Sequence, residues 1–261
     1  MSLLNQDDLR YMSNTCSEKI LNSKLGSEYF EEPYKHIVID DFLDPKMADA
    51  CLNSFPSLDH PCWEFANDED IEVKYRTKWK SEFDIPENII EVVRILNSSD
   101  MLRAMASRLS IPKLMSDPYF SGGGLNVTTR GGLLDVHVDG NYHDASGLNR
   151  RLNAILYFNH DWQPDWGGEF GLYDKTGTDC LKRVPPLFNR LVIFDSHDFS
   201  FHGLPDPIAF PNDHTRKSLI LYYYTKAPRP DQQTAVGDPH SALWVKRGLT
   251  DKRGNITRKF S

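Results

Sequence analysis

The sequence predicts a mainly β protein with flanking helices, built as a jelly roll or a barrel. Three observations carry this. From Tyr119 onward the hydrophobic period is two, giving seven short strand-like runs separated by Gly, Pro, Asn and Asp clusters. The acids are skewed, with 26 Asp against 11 Glu, and Asp favours turns and caps where Glu favours helix interiors. Hydrophobic residues make up 39% of the 261 residues and aromatics 11%, which argues against disorder. A chain of this length can bury roughly three-quarters of its unfolded surface in one large domain.

Taken in order, the first 30 residues read as polar helix packed on the outside of something else, so residues 1–34 are set apart as an N-terminal helical segment. His36–Leu43 is a β-branched strand. Asp44-Pro45 then opens a helix, Asp as N-cap and Pro as first helical residue. Residues 57–85 lose periodicity and mix aromatics with acids, predicting a long loop or an irregular hairpin. Pro86–Asn97 and Asp100–Leu109 carry apolar residues at helical spacing. The predicted strands follow at Tyr119–Thr128, Leu133–Val138, Leu152–Phe158, Glu169–Tyr173, Leu181–Val184, Leu191–Phe194 and Ser218–Thr225. Gly122-Gly123-Gly124 lacks the Lys-Ser/Thr of a phosphate loop and reads as a turn. Residues 35–226 thus form the main domain. Residues 227–261, with seven Lys/Arg against three Asp, are expected to be a basic, solvated and partly ordered C-terminal extension.

Composition excludes several classes. Apolar runs are strand-length, Leu219–Tyr224 among the longest, so no transmembrane helix is expected. The N-terminus lacks a basic start followed by an apolar stretch, so no secretory signal is expected. A net charge of −7 disfavours nucleic acid as a partner. Cys16, Cys51, Cys62 and Cys180 are scattered with no C-x-x-C pair, predicting four reduced thiols. The expectation is a cytoplasmic protein without a membrane partner; its oligomeric state is left open.

His137-Val138-Asp139 ends one predicted strand. Residues i and i+2 of a strand share a face, so imidazole and carboxylate can hold one metal. Alone the pair means little, since 9 His and 26 Asp give roughly one such spacing by chance. A second histidine, His202, lies in SFHGLP beyond the strand RLVIFD, and Arg216 and Ser218 share a face at the start of the last strand. Two His and one carboxylate make the facial triad of non-haem Fe(II) oxygenases. Arg and Ser beside it suit the far carboxylate of a dicarboxylate cosubstrate.

In this order the chain resembles the 2-oxoglutarate/Fe(II)-dependent oxygenase superfamily, and within it the prolyl-hydroxylase-like branch. LNAILYFNHDWQPDWGGEF is similar to the branch pattern of a strand ending in Tyr-aliphatic-Asn, then Trp and a Gly-Gly turn, with Phe158 in the aliphatic slot. FNRLVIFDSHDFSFHGLP is similar to the strand and loop that deliver the distal histidine. The resemblance covers residues 115–226 and implies a double-stranded β-helix core. It makes His137, Asp139 and His202 the metal ligands and catalytic centre, and Arg216, Ser218 and Tyr157 contacts to 2-oxoglutarate. Where many relatives carry a second tyrosine, this chain has Asn126, which is either its replacement or an ordinary strand-edge residue.

The implied cofactors are Fe(II), 2-oxoglutarate as cosubstrate and O2, with ascorbate a candidate stimulant. The implied activity is hydroxylation of a C–H bond of a small molecule, amino acid or peptide, with succinate and CO2 as coproducts. A protein prolyl hydroxylase, a non-catalytic metal-binding jelly roll and a cupin-type enzyme are the rival readings. His143, His160, His197 and His214 lie in predicted loops and are expected to be exposed, with His197 the rival for the distal ligand. Asp135 shares a face with His137 and is expected to be pushed to the surface by a bulge rather than to contact substrate. Tyr222 and Tyr224 are expected to be core. Two segments, Cys62–Lys80 and Asn141–Arg150, are candidate lids, against the plainer reading that Trp63 and Trp79 pack on the helices.

Overall fold

A computed structural model describes residues 5–235 and 239–252. Its first element, α1 (Gln6–Leu21), starts at a capping box in which Asn5 and Asp8 satisfy each other's backbone N–H groups. Strands β1 (Tyr29–Phe30) and β2 (His36–Ile39) lead to α2 (Pro45–Asn53), where the Asp44 side chain accepts from Lys46 N at 3.0 Å and Pro45 fills the first turn. Residues 57–85 hold a regular hairpin, β3 (Trp63–Asp68) and β4 (Glu72–Thr77). Helices α3 (Glu87–Leu96) and α4 (Ser99–Leu109) follow, the latter capped by Ser98. The β region contains β5 (Met115–Ser116), β6 (Gly124–Thr128), β7 (Leu133–Val138), β8 (Asn149–Tyr157), β9 (Phe170–Tyr173), β10 (Cys180–Val184), β11 (Leu191–Asp195), β12 (His202–Leu204), β13 (Arg216–Thr225) and β14 (Leu243–Trp244).

These strands form one curled antiparallel sheet in the order β1-β2-β11-β8-β13-β6-β4-β7-β12-β9-β10, the curl of a jelly roll. Two-residue alternation decides what each face does. On β8, β11 and β13 the residues Leu152, Ala154, Leu156, Leu191, Ile193, Leu219, Leu221 and Tyr223 point one way and pack with Ile20, Val92, Ile95, Met101 and Leu109 from α1, α3 and α4. Each such fully buried aliphatic contributes about 1.5–3 kcal/mol. The intervening residues Asn153, Ile155 and Tyr157 on β8, and Arg216, Ser218, Ile220 and Tyr222 on β13, line a cavity inside the curl. One face is therefore core and the other is a site.

Strand β4 is inserted between β6 and β7, pairing Tyr75 with Val127, Arg76 with Asn126, and Glu72 with Leu134. Trp79 just beyond it is buried edge-on against Phe120, and Trp63 packs on the main core. Trp63 and Trp79 thus pack on the core as the packing reading expects, while Phe65 is exposed and stacks on Tyr75 of its own hairpin. Residues 239–252 depart from the expected solvated extension: β14 pairs with β7, and Leu243 and Trp244 are buried. All four cysteines are free. Among the described residues no helix is long and apolar enough to cross a membrane.

Candidate metal centre and cosubstrate pocket

His137 lies near the end of β7, with Asp139 just past it, and β12 pairs with β7 so that His202 stands directly opposite His137. The sequence pair and the distal histidine are thereby brought to one point. His137 Nε2 is 3.8 Å from Asp139 Oδ1, His202 Nε2 is 3.5 Å from Asp139 Oδ2, and one ligand atom from each lies within 4.8 Å of the others. His137 Nδ1 donates to Asp135 O at 2.8 Å and His202 Nδ1 to Ser200 O at 2.9 Å. A carbonyl can only accept, so the proton is fixed on Nδ1 and the Nε2 lone pair is left for a metal.

The protonation states agree with that use. Burial, reinforced by the neighbouring His202, pushes His137 down to about 3, and burial likewise lowers His202. Burial opposes ionisation of Asp139, but His202, the Arg150 guanidinium, His137 and the Asn153 amide together hold it at about 2. At neutral pH the cluster is two neutral imidazoles and one carboxylate, a donor set that fits Fe(II).

The second half of the site is built on β13, which runs between β8 and β6. Ser218 pairs with Tyr157 on one side and Asn126 on the other. Arg216, two residues earlier on the same face, donates from Nε to Gly168 O at 2.8 Å and from Nη2 to Tyr157 Oη at 3.3 Å. Gly168 can present that carbonyl because it sits at φ 71°, in a turn where a Cβ would meet Ile208 and Trp162 at 3.0 and 3.1 Å. The Ser218 hydroxyl is buried without a partner, and Asn126 Nδ2 donates to Gly124 O at 3.3 Å. Burial raises the Tyr157 phenol, with Arg216 opposing. His137, Asp139, His202, Arg216, Ser218, Tyr157 and Asn126 all line the same cavity of about 720 Å³.

The cavity also contains groups that sequence reasoning passed over. Asn153 donates a short hydrogen bond from Nδ2 to Asp139 Oδ2, and Arg150 Nη1 lies 3.6 Å from Asp139 Oδ1. Asn153 was findable, since it shares strand parity with Tyr157. Arg150 was not, because a bulge between Tyr223 and Tyr224 shifts the pairing so that Arg150, and not Arg151, follows the cavity face. Trp244 and Lys252 come from the C-terminal segment, and Lys74 from β4.

Several expectations are corrected. Tyr222 lines the cavity with the Arg150 guanidinium 4.0 Å above its ring, while Tyr224 is buried as expected. Asp135 is buried, neither at the surface nor in the cavity, and its carboxylate accepts from Lys246 N at 2.9 Å. His143 is buried, 3.0 Å from Asp117, and His197 and His214 are half-buried; His160 alone of the four is exposed. His197 packs edge-on against Tyr34 and is not in the metal cluster.

Fold and site together define a jelly-roll protein with a two-histidine, one-carboxylate centre. Residues 123–224 match the model of the 2OG-Fe(II) oxygenase superfamily, the superfamily that the sequence resembles. No curated protein matches the chain. Among solved structures, a prolyl hydroxylase from Trichoplax adhaerens in complex with a hypoxia inducible factor peptide fragment is similar at 16% identity and TM-score 0.57, covering 85% of this chain and 94% of that one. A Pseudomonas putida prolyl-4-hydroxylase is similar at 16% identity and TM-score 0.54, over 83% and 100% of the two chains. Prolyl 4-hydroxylases from Phytophthora capsici give 21% identity and TM-score 0.53, over 86% and 69%. These likenesses establish the shared jelly-roll fold.

Proposed function

We propose that this cavity binds Fe(II) at His137, Asp139 and His202 and 2-oxoglutarate at Arg216, Ser218, Tyr157 and Asn126. On this reading the chain is a dioxygenase that hydroxylates a C–H bond of a small molecule, amino acid or peptide. The observation that carries it is the convergence of two neutral Nε2 atoms and one ionised carboxylate beside a buried Arg–Ser pair in one cavity. When bound, the metal supplies O2-dependent oxidation coupled to conversion of 2-oxoglutarate to succinate and CO2.

The chain's own residues do the rest. Two neutral imidazoles and one carboxylate leave Fe(II) with a net charge of about +1, suited to a dianionic cosubstrate. Arg216, held by Gly168 and Tyr157, would offer its guanidinium to the far carboxylate of the cosubstrate. The unpartnered Ser218 hydroxyl supplies a further donor there. Asn153, donating to Oδ2, and Arg150, beside Oδ1, hold the Asp139 carboxylate in place. Asn126, between Ser218 and Arg76 in the sheet, borders the cosubstrate side.

Anaerobic titration with Fe(II) and 2-oxoglutarate tests the reading, because a chelated complex has a weak visible charge-transfer band. His137→Ala and His202→Ala are each expected to abolish it. A band that survives in His202→Ala would refute the ligand set. Succinate release across amino acids, peptides and small molecules then identifies the substrate class, with and without ascorbate.

A further inference from the structure

Each histidine of the centre is held by a carbonyl at Nδ1 and by aromatic rings beside its own, tilted for His202 and stacked for His137. For His202 the rings belong to the barrel itself, Phe194 at 4.8 Å and Phe170 at 5.5 Å between centroids. For His137 the ring is Trp244, at 4.5 Å and 25° between planes, which comes from the C-terminal segment outside the family match. The β14–β7 register places Trp244 directly opposite His137, and paired residues on neighbouring strands project to the same face.

The segment is firmly attached at this point. Val245 N donates to Val136 O at 2.9 Å, and Lys246 N donates to the carboxylate of Asp135, whose carbonyl holds His137. Asn141 N donates to His240 O at 3.1 Å, His240 N donates back to Asn141 Oδ1 at 2.8 Å, and His240 Nε2 lies 3.0 Å from buried Asp198. A Cβ at Gly140, next to Asp139, would stand 3.0 Å from His240 O and 3.2 Å from Ser241 Cα, so a larger residue there would push the segment outward by a few tenths of an ångström. Lys252 closes the far end on Glu72.

We infer that Trp244 is a positioning residue for His137, which makes residues 239–252 a working wall of the metal centre. A ring pivoted on one hydrogen bond can still swing about its side-chain torsions, and the stacked indole removes that freedom and aims Nε2 at the metal. The inference rests on His137 being a ligand, as proposed above.

The test uses the full chain and Co(II), an oxygen-insensitive probe whose visible spectrum reports its ligands. Metal affinity, spectrum and melting temperature are measured for the wild type, His137→Ala, Trp244→Ala, Trp244→Leu, Trp244→Phe and Leu243→Ala. Leu243 packs with Val136, Val138, Tyr173 and Phe201, away from the metal, and reports loosening of the segment alone. Trp244→Ala, or Trp244→Leu if the alanine variant does not fold, is expected to weaken Co(II) binding about tenfold or more and to alter the spectrum. Trp244→Phe, which keeps a stacking ring, is expected to stay within about threefold, and Leu243→Ala to lower the melting temperature with the spectrum intact. Wild-type affinity and spectrum in Trp244→Leu, or an equal loss in Leu243→Ala, would overturn the inference. Wild-type Co(II) binding that His137→Ala leaves unchanged would instead remove the ligand assignment, and this inference with it.

Discussion

Replacing Arg216 by alanine isolates the cosubstrate half of the site from the metal half. The side chain is buried, its Nε bound to Gly168 O at 2.8 Å and its Nη2 to Tyr157 Oη at 3.3 Å, with the guanidinium 4.9 Å from the Tyr157 ring centroid. Loss of a charged hydrogen bond to a carboxylate costs about 1.5–3 kcal/mol. At about 1.4 kcal/mol per factor of ten, that is roughly a ten- to hundredfold rise in the KM for 2-oxoglutarate. Arg216→Lys is expected to recover part of it, because an ammonium keeps the charge and loses the fork. Lys217, whose side chain turns to Thr215, is on the other parity and does not line the cavity, so Lys217→Ala is expected to leave KM unchanged. The assay is succinate release at varied 2-oxoglutarate, paired with metal affinity, which Arg216→Ala is expected to spare. An unchanged KM in Arg216→Ala, or a matching rise in Lys217→Ala, would refute the assignment of this guanidinium as the anchor.

Hydrogen exchange of the substrate-free protein is expected to show the amides of 72–77 protected, since β4 is bonded between β6 and β7; fast exchange there would restore a lid reading for 62–80. A second expectation concerns His36, buried and stacked on Phe30 with Nδ1 donating to Tyr34 O, which burial pushes down to about 4. Below its unfolded pKa of about 6.5 the unfolded chain takes up a proton that the fold refuses, so this contribution to stability is present above that pH. It is lost as pH falls from 6.5 towards 4, by about 3 kcal/mol, and urea unfolding of His36→Phe should lack that part of the acid slope.

Much of this was legible in the sequence because strand alternation is a local property. The period of two located β7, β8, β11 and β13, and the shared parity of His137 with Asp139, and of Arg216 with Ser218, placed those pairs on common faces before any coordinates. What escaped notice depends on pairing at long range. Strand β12 is three residues long and carries no period, so the meeting of His202 with His137 could be reached only through the family pattern. Strand β4 hides in a charged segment because Lys74 and Glu72 neutralise each other at 3.0 Å. Asp135 looked misplaced on a barrel face because its partner, Lys246 N, lies 111 residues away. The C-terminal segment reads as solvated by charge count, yet Leu243 and Trp244 are buried there, too short a run to register as a strand, and His240 is buried as well.

The two faces of the sheet also explain why such a site is sustainable. Ser218 Oγ, Asn153 Oδ1 and Arg150 Nε are buried without partners in or beside the cavity, and each such atom costs about 1–3 kcal/mol when nothing satisfies it. A strand that buried polar groups on both faces would not hold. Here the residues between them, Leu152, Ala154, Leu156, Leu219 and Leu221, are almost fully buried under the helices, so Asn153, Tyr157 and Ser218 each have an apolar neighbour one position away that offsets their burial. The helical layer therefore acts on the chemistry without touching it: its packing against the outer face makes an unsatisfied, ligand-ready inner face compatible with a folded chain.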